Sequence, residues 1–179
     1  FLEERFGPDH RCAFRLANHV AEGADFLRLA VLLAEGGIYA DADDRLKADP
    51  SALTGAGRGM VVFREPYFAI ANNVICAAPG HPVLRIAVDM AMRSLLAREN
   101  DRTWSKTGPG LLTRAIAAYV LEAGDTEAAA TLEIRTVPEL RRHVDPHVRL
   151  SYKSTIHYWN ARHGTVPRPV AEALRALVA

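Results

Sequence analysis

Asp41 and Asp43 are separated by one residue and follow a β-prone run in the segment Gly36-Gly37-Ile38-Tyr39-Ala40-Asp41-Ala42-Asp43. On an extended strand, residues two apart share a face, so both carboxylates would point the same way where the strand ends. Ligands of open α/β sheets gather at such carboxyl ends. Two carboxylates that converge stay ionised at low cost only with a cation between them. Oxygen ligands select a hard cation such as Mg²⁺ or Mn²⁺, and such an ion can bridge a diphosphate and stabilise its departure. The competing explanation is a polar turn made by Asp43, Asp44 and Arg45, and for an isolated D-x-D that is the commoner case. Asp44 alternates to the opposite face and stays outside the pair.

A second pair precedes the first. Asp25 and Arg28 lie three apart, on one face of a helix. As a surface ion pair they would contribute only roughly 0.2–0.5 kcal/mol. Arg28, however, interrupts an otherwise apolar run, and a buried guanidinium must be paired. Tyr39, a strand aromatic, suits either the core or stacking against a ligand.

These residues need a helix, a turn and a strand to bring them together. Ala24 to Glu35 has an apolar face of Phe26, Leu27, Ala30, Val31, Leu33 and Ala34, and Gly36-Gly37 stops it. Ile38 to Ala40 reads as a strand, as do Met60 to Phe63, Asn73 to Ala77 and Leu132 to Val137. Helices are expected over Phe1 to Phe6, Val83 to Arg98, Leu111 to Glu122 and Pro169 to Val178. Tyr152 to Trp159 is aromatic and irregular. Strands alternating with helices give an α/β class, and 179 residues fit one domain.

Composition narrows the partners. A formal charge of +1 gives no argument for nucleic acid or a membrane surface. Residues 1–50 hold ten acidic and six basic side chains, whereas residues 131–179 hold four and eight. That asymmetry suits a cation at one end and phosphates at the other, although solvated surface explains it as well. Cys12 and Cys76 have neither zinc spacing nor a disulfide framework, as expected of reduced thiols in a cytoplasmic protein. No transmembrane segment and no signal peptide are expected. Arginine and alanine richness points to a GC-rich bacterial source.

The block Ala24-Asp25-Phe26-Leu27-Arg28 followed by Gly36-Gly37-Ile38-Tyr39-Ala40-Asp41-Ala42-Asp43 resembles the DXD-containing sugar-transferase family. That family includes initiating mannosyltransferases, capsular sugar transferases and the clostridial glucosylating toxins. Its pattern is a small residue, D-x-x-R, a hydrophobic helix and G-G-x-Y-x-D-x-D, and every fixed position is matched. Looser matches follow in order: Ile70-Ala71-Asn72-Asn73-Val74, Pro79-Gly80-His81-Pro82, Thr107-Gly108-Pro109 and His157-Tyr158-Trp159.

The resemblance implies a GT-A-like fold with a central mixed sheet flanked by helices. It implies transfer of a sugar from a UDP- or GDP-sugar, with retention, to a carbohydrate, lipid or protein acceptor, and a divalent cation, Mn²⁺ or Mg²⁺. It places Asp41 and Asp43 in catalysis, with Asp43 and His157 on the metal. Asp25, Arg28, Tyr39, Asn72, Thr107, Gly108 and Trp159 would bind the donor, with Asn73 the competitor of Asn72 and Lys153 set to meet a phosphate. His81 reads as structural. Residues 1–179 form a single catalytic domain in this reading, lacking the family's first strand and helix. The alternative is a non-catalytic sugar-nucleotide-binding or scaffold domain accessory to another chain.

Overall fold

The computed structural model describes residues 1–54, 59–65, 68–99 and 101–154. The chain begins with helices α1 (Leu2–Phe6), α2 (Pro8–Arg15) and α3 (Val20–Glu35), then strands β1 (Gly37–Ala40), β2 (Arg45–Leu46), β3 (Met60–Arg64) and β4 (Ile70–Ala77). Helices α4 (Pro82–Leu96), α5 (Thr103–Lys106), α6 (Pro109–Ala123) and α7 (Asp125–Thr131) follow. Strand β5 (Leu132–Thr136), helix α8 (Val137–Leu140) and strand β6 (Val144–Asp145) complete the regular elements, with 3₁₀ turns at Pro50–Leu53 and Ser151–Ser154.

Four strands form one mixed sheet in the order β1-β4-β3-β5. β4 runs antiparallel to β1 and β3, and β5 runs parallel to β3. β3 is apolar and buried from Met60 to Phe63, ending in the exposed Arg64, because the sheet is covered on both faces, as continuous apolar strands generally are. Met60 and Val62 join the larger core with Phe26 and Leu29 of α3, Leu84 and Val88 of α4, and Leu111 and Leu112 of α6. Val61 and Phe63 point the other way, into a smaller cluster with Leu53, Val74, Leu140 and Val144. This is the expected central mixed sheet flanked by helices. No helix among the described residues is long and apolar enough to cross a membrane.

The sequence reading differs from the structure at several edges. α3 starts at Val20 rather than Ala24, because the His19 side chain caps it by accepting from the Ala21 N–H at 3.2 Å. β4 starts three residues early, since Ile70 and Ala71 pair with Arg64 and Phe63. α2 was missed because Ala13 is its one buried residue, leaving no apolar stripe to read. The expected helix over 169–178 lies outside the described residues. His81 is structural as read: its Nδ1 caps α4 and its Nε2 lies 3.2 Å from the Thr131 carbonyl.

The turn from α3 into β1 depends on Gly36. Its φ is +67°, and an added Cβ would lie 2.7 Å from the Pro79 ring and 2.8 Å from the Ala77 carbonyl oxygen. Gly36→Ala is therefore expected to cost about 3 kcal/mol, combining backbone strain with a clash against main chain. Urea unfolding should show a lower midpoint with an unchanged slope.

Candidate active site

α3 carries two buried stripes. Phe26, Leu29, Ala30 and Leu32 enter the core, while Glu22, Asp25 and Arg28, spaced at three, are buried on a polar face. That face meets the start of β4 and the end of β1, which lie together because the strands are antiparallel. Ala40 pairs with Val74, and the Asp41 N–H donates to the Asn73 carbonyl at 2.9 Å.

Arg28 organises this junction. Its guanidinium lies 3.0 Å from Asp25 Oδ1 and 3.0 Å from Asp41 Oδ1, and donates to the Asn72 carbonyl at 2.6 Å. It also sits 4.4 Å above the centroid of the Tyr39 ring. The Tyr39 hydroxyl donates to Asp41 Oδ1 at 2.7 Å. The buried arginine is thus fully paired, as burial of a charge requires. Asn72 Nδ2 donates to Asp25 Oδ1 at 2.9 Å, and the Thr107 hydroxyl donates to Asp25 Oδ2 at 3.1 Å. Burial nevertheless dominates Asp25 and raises its pKa to about 6, against the lowering effects of Arg28, Thr107 and Asn72.

The carboxylates of the D-x-D converge by a different route from the one expected. β1 ends at Ala40, and residues 41–44 form a turn closed by the Asp44 N–H on the Asp41 carbonyl at 2.9 Å. A turn, not a pleat, brings Asp41 and Asp43 together. One ligand atom each from Asp41, Asp43 and His147 lie within 4.8 Å of one another, a spread one divalent cation can span with small side-chain adjustment. Two carboxylate oxygens and an imidazole suit Mn²⁺ or a similar ion. Lys153 is hydrogen-bonded and ion-paired to Asp43 Oδ2. Burial pushes the Asp43 carboxyl up, but Lys153 and His147 outweigh it and hold its pKa below the usual range.

Several of these groups border one cavity of about 530 Å³. Asp25, Arg28, Asp41, Asn72, Asn73, Gly108 and His147 line it, joined by Glu65, Arg102, Thr103 and Trp104. Thr107 is buried and reaches the site only through its hydrogen bond to Asp25. His157 and Trp159 lie outside the described residues. Asn72 and Asn73 both line the cavity, Asn72 donating to Asp25 and Asn73 to Asp44.

Three groups escaped the sequence reading. Asp145-Pro146-His147 is an Asp-Pro turn signal that could have pointed to His147. Trp104 is half exposed at the cavity and packs on Gly110, where a Cβ would lie 2.5 Å from its ring. Glu22 and Lys106 form a fully buried ion pair at 2.8 Å that ties α5, and so Thr103 and Trp104, to α3. No local pattern signals such a pair.

Comparison with known proteins agrees with this geometry. The family described as glycosyltransferase sugar-binding region containing DXD motif matches residues 3–56, a span that holds Asp25, Arg28, Asp41 and Asp43. An uncharacterized glycosyltransferase of Acanthamoeba polyphaga mimivirus is 28% identical over 123 residues, covering 66% of this chain and 47% of its own. A toxin of Photorhabdus asymbiotica is 32% identical over 105 residues, 55% of this chain and 4% of the toxin. Among solved structures, the PaToxG glycosyltransferase superposes with a TM-score of 0.54 at 26% identity, covering 71% of this chain and 46% of that one. The chain therefore spans about half the length of the viral relative and a small part of the toxin. In its D-x-D segment and its fold, this chain is thus similar to DXD-containing glycosyltransferases.

Proposed function

We propose that residues 1–179 act as a catalytic domain that transfers a sugar from a UDP- or GDP-sugar to an acceptor, with retention and with Mn²⁺ bound. The observation that carries this reading is the Asp41–Asp43–His147 cluster, whose Asp41 and His147 line the cavity that Asp25, Arg28 and Asn72 also border. When bound, a divalent cation offsets the charge that builds on the departing nucleotide diphosphate. Asp43, kept ionised by its neighbours, and His147 would hold it, with Asp41 sharing the task while anchored by Arg28 and Tyr39. Asp25 accepts from sugar hydroxyls, and Asn72 lies beside it to orient the same ring. With a cation at Asp43, Lys153 would stand beside the site, placed to meet a phosphate oxygen.

UDP-glucose, UDP-N-acetylglucosamine and GDP-mannose, each incubated with the protein with and without Mn²⁺, test the reading. Metal-dependent release of UDP or GDP is the expected result. A folded protein that binds none of the three at any Mn²⁺ concentration favours the accessory, non-catalytic role.

His147→Ala is expected to weaken Mn²⁺ binding by at least about tenfold, the scale on which even outer groups of metal sites matter. Titration calorimetry measures it directly. An unchanged affinity removes His147 and returns His157 as the imidazole to examine.

A further inference from the structure

We infer that Asp44 is a positioning residue whose buried carboxylate grips the backbone of His147 and so aims that imidazole at Asp41 and Asp43. The inference rests on the cation site proposed above. The His147 side chain is 62% exposed, so little packing directs it. Its ring meets only carboxylates, Asp43 Oδ2 at 3.5 Å and Asp44 Oδ1 at 3.9 Å among the described residues, whereas its backbone is held from two sides. Asp44 Oδ1 accepts the His147 N–H at 2.8 Å, and the Asp43 carbonyl accepts the Val148 N–H at 2.8 Å. His147 itself has φ +56°, a region that non-glycine residues occupy sparsely and that the surroundings must enforce. The ring's Nδ1 then lies 3.5 Å from Asp43 Oδ2.

Asp44 is placed to hold rather than to ligate. Its side chain has 0% exposure, and its second oxygen accepts from Asn73 Nδ2 at 2.7 Å. Both carboxylate oxygens therefore already serve N–H donors. One end of the brace is anchored in β4 through Asn73, and the other reaches the turn after β6. Immediately past Asp44 the chain enters β2, which pairs with β6 through Arg45↔Asp145 and Leu46↔Val144. The short ribbon sets the two segments side by side, and Asp44 fixes the angle at its end. Groups that orient metal-binding side chains commonly change affinity by 10–100-fold when removed.

A double-mutant cycle on Mn²⁺ affinity, read by the electron paramagnetic resonance of free Mn²⁺, separates this role from general support of the fold. Asp44→Ala alone is expected to weaken binding about tenfold. In a His147→Ala background the same change should have almost no effect, because the aimed ring is gone. Additive losses overturn the inference while leaving the cation site intact. If His147→Ala by itself leaves the affinity unchanged, His147 is no ligand, and the preceding section's assignment of it fails together with this inference.

Two further measurements do not depend on catalysis. The His147 amide proton should exchange slowly in the metal-free wild type and quickly in Asp44→Ala, and fast exchange in the wild type overturns the brace. Should Asp44→Ala fold poorly, the paired exchange Asp44→Asn with Asn73→Asp reverses one hydrogen bond and keeps an oxygen for the His147 N–H. That variant should recover both Mn²⁺ affinity and amide protection, and recovery of neither counts against the proposal.

Discussion

Asp43→Asn is expected to lower metal-dependent release of nucleotide diphosphate by two or more orders of magnitude, the scale of losing charge stabilisation in a transition state. The amide keeps the shape of the side chain but removes the charge that a cation needs, and a cation counts most when the leaving group is fully charged. The effect on folding should be small and unfavourable. Arg28 and Lys153 already neutralise the Asp41–Asp43 pair, so no like-charge repulsion is relieved. Because the Asp43 pKa is lowered in the fold, its ionised form stabilises the protein above the unfolded carboxyl's pKa of about 4, and that contribution is lost as pH falls through the lower folded value. Losing the Lys153 contact should cost about 1–2 kcal/mol. Wild-type turnover in a folded Asp43→Asn protein would falsify the mechanism.

Asp25→Asn should separate activity from stability in opposite directions. An asparagine at this position can still accept from Asn72 and Arg28 through Oδ1, and its amide can donate to the Thr107 hydroxyl, which then turns to the Thr103 carbonyl 3.4 Å away. The charge, however, is gone, and with it the strong acceptor for donor hydroxyls and half of the pair that holds Arg28. Turnover should fall about a hundredfold, as expected for hydrogen bonds to a charged group. Stability should rise at neutral pH. Asp25 takes up a proton at about pH 6 in the fold and near pH 4 when unfolded, so the native state binds the extra proton between those values. Its contribution is most favourable below pH 4 and is lost as pH rises through 6. At pH 7 the neutral amide avoids that loss, at most on the order of 3 kcal/mol. Melting curves at pH 4 and pH 7 check this: the variant should gain over wild type at pH 7 and not at pH 4. A variant that loses stability equally at both values contradicts it.

The parts of the site that the sequence made legible are those fixed by local rules. Helical spacing put Asp25 and Arg28 on one face, the paired glycines marked the turn, and the apolar strands announced a covered sheet. Asp41 and Asp43 converge as expected, although by a turn, because β1 stops one residue before Asp41. The rest was set by distant contacts. His147 follows a two-residue strand, too short to carry a periodicity. Lys106 finds Glu22 across a separation that no spacing pattern encodes. Trp104 is placed by Gly108 and Gly110, which from the sequence alone need only open a helix.

The bonds from the D-x-D-D turn to His147 and Lys153 join residues 103 and 110 positions apart. A nascent chain that has made α3, β1 and β4 owns both carboxylates and Arg28, yet lacks the imidazole. Cation affinity should therefore arrive only with the segment beyond β5. Closing so long a loop costs little more entropy than closing one of half the length, about 0.6 kcal/mol. Since a ligand that binds only the closed form draws the equilibrium toward it, a divalent ion would act as a clasp between the D-x-D-D turn and the segment beyond β5.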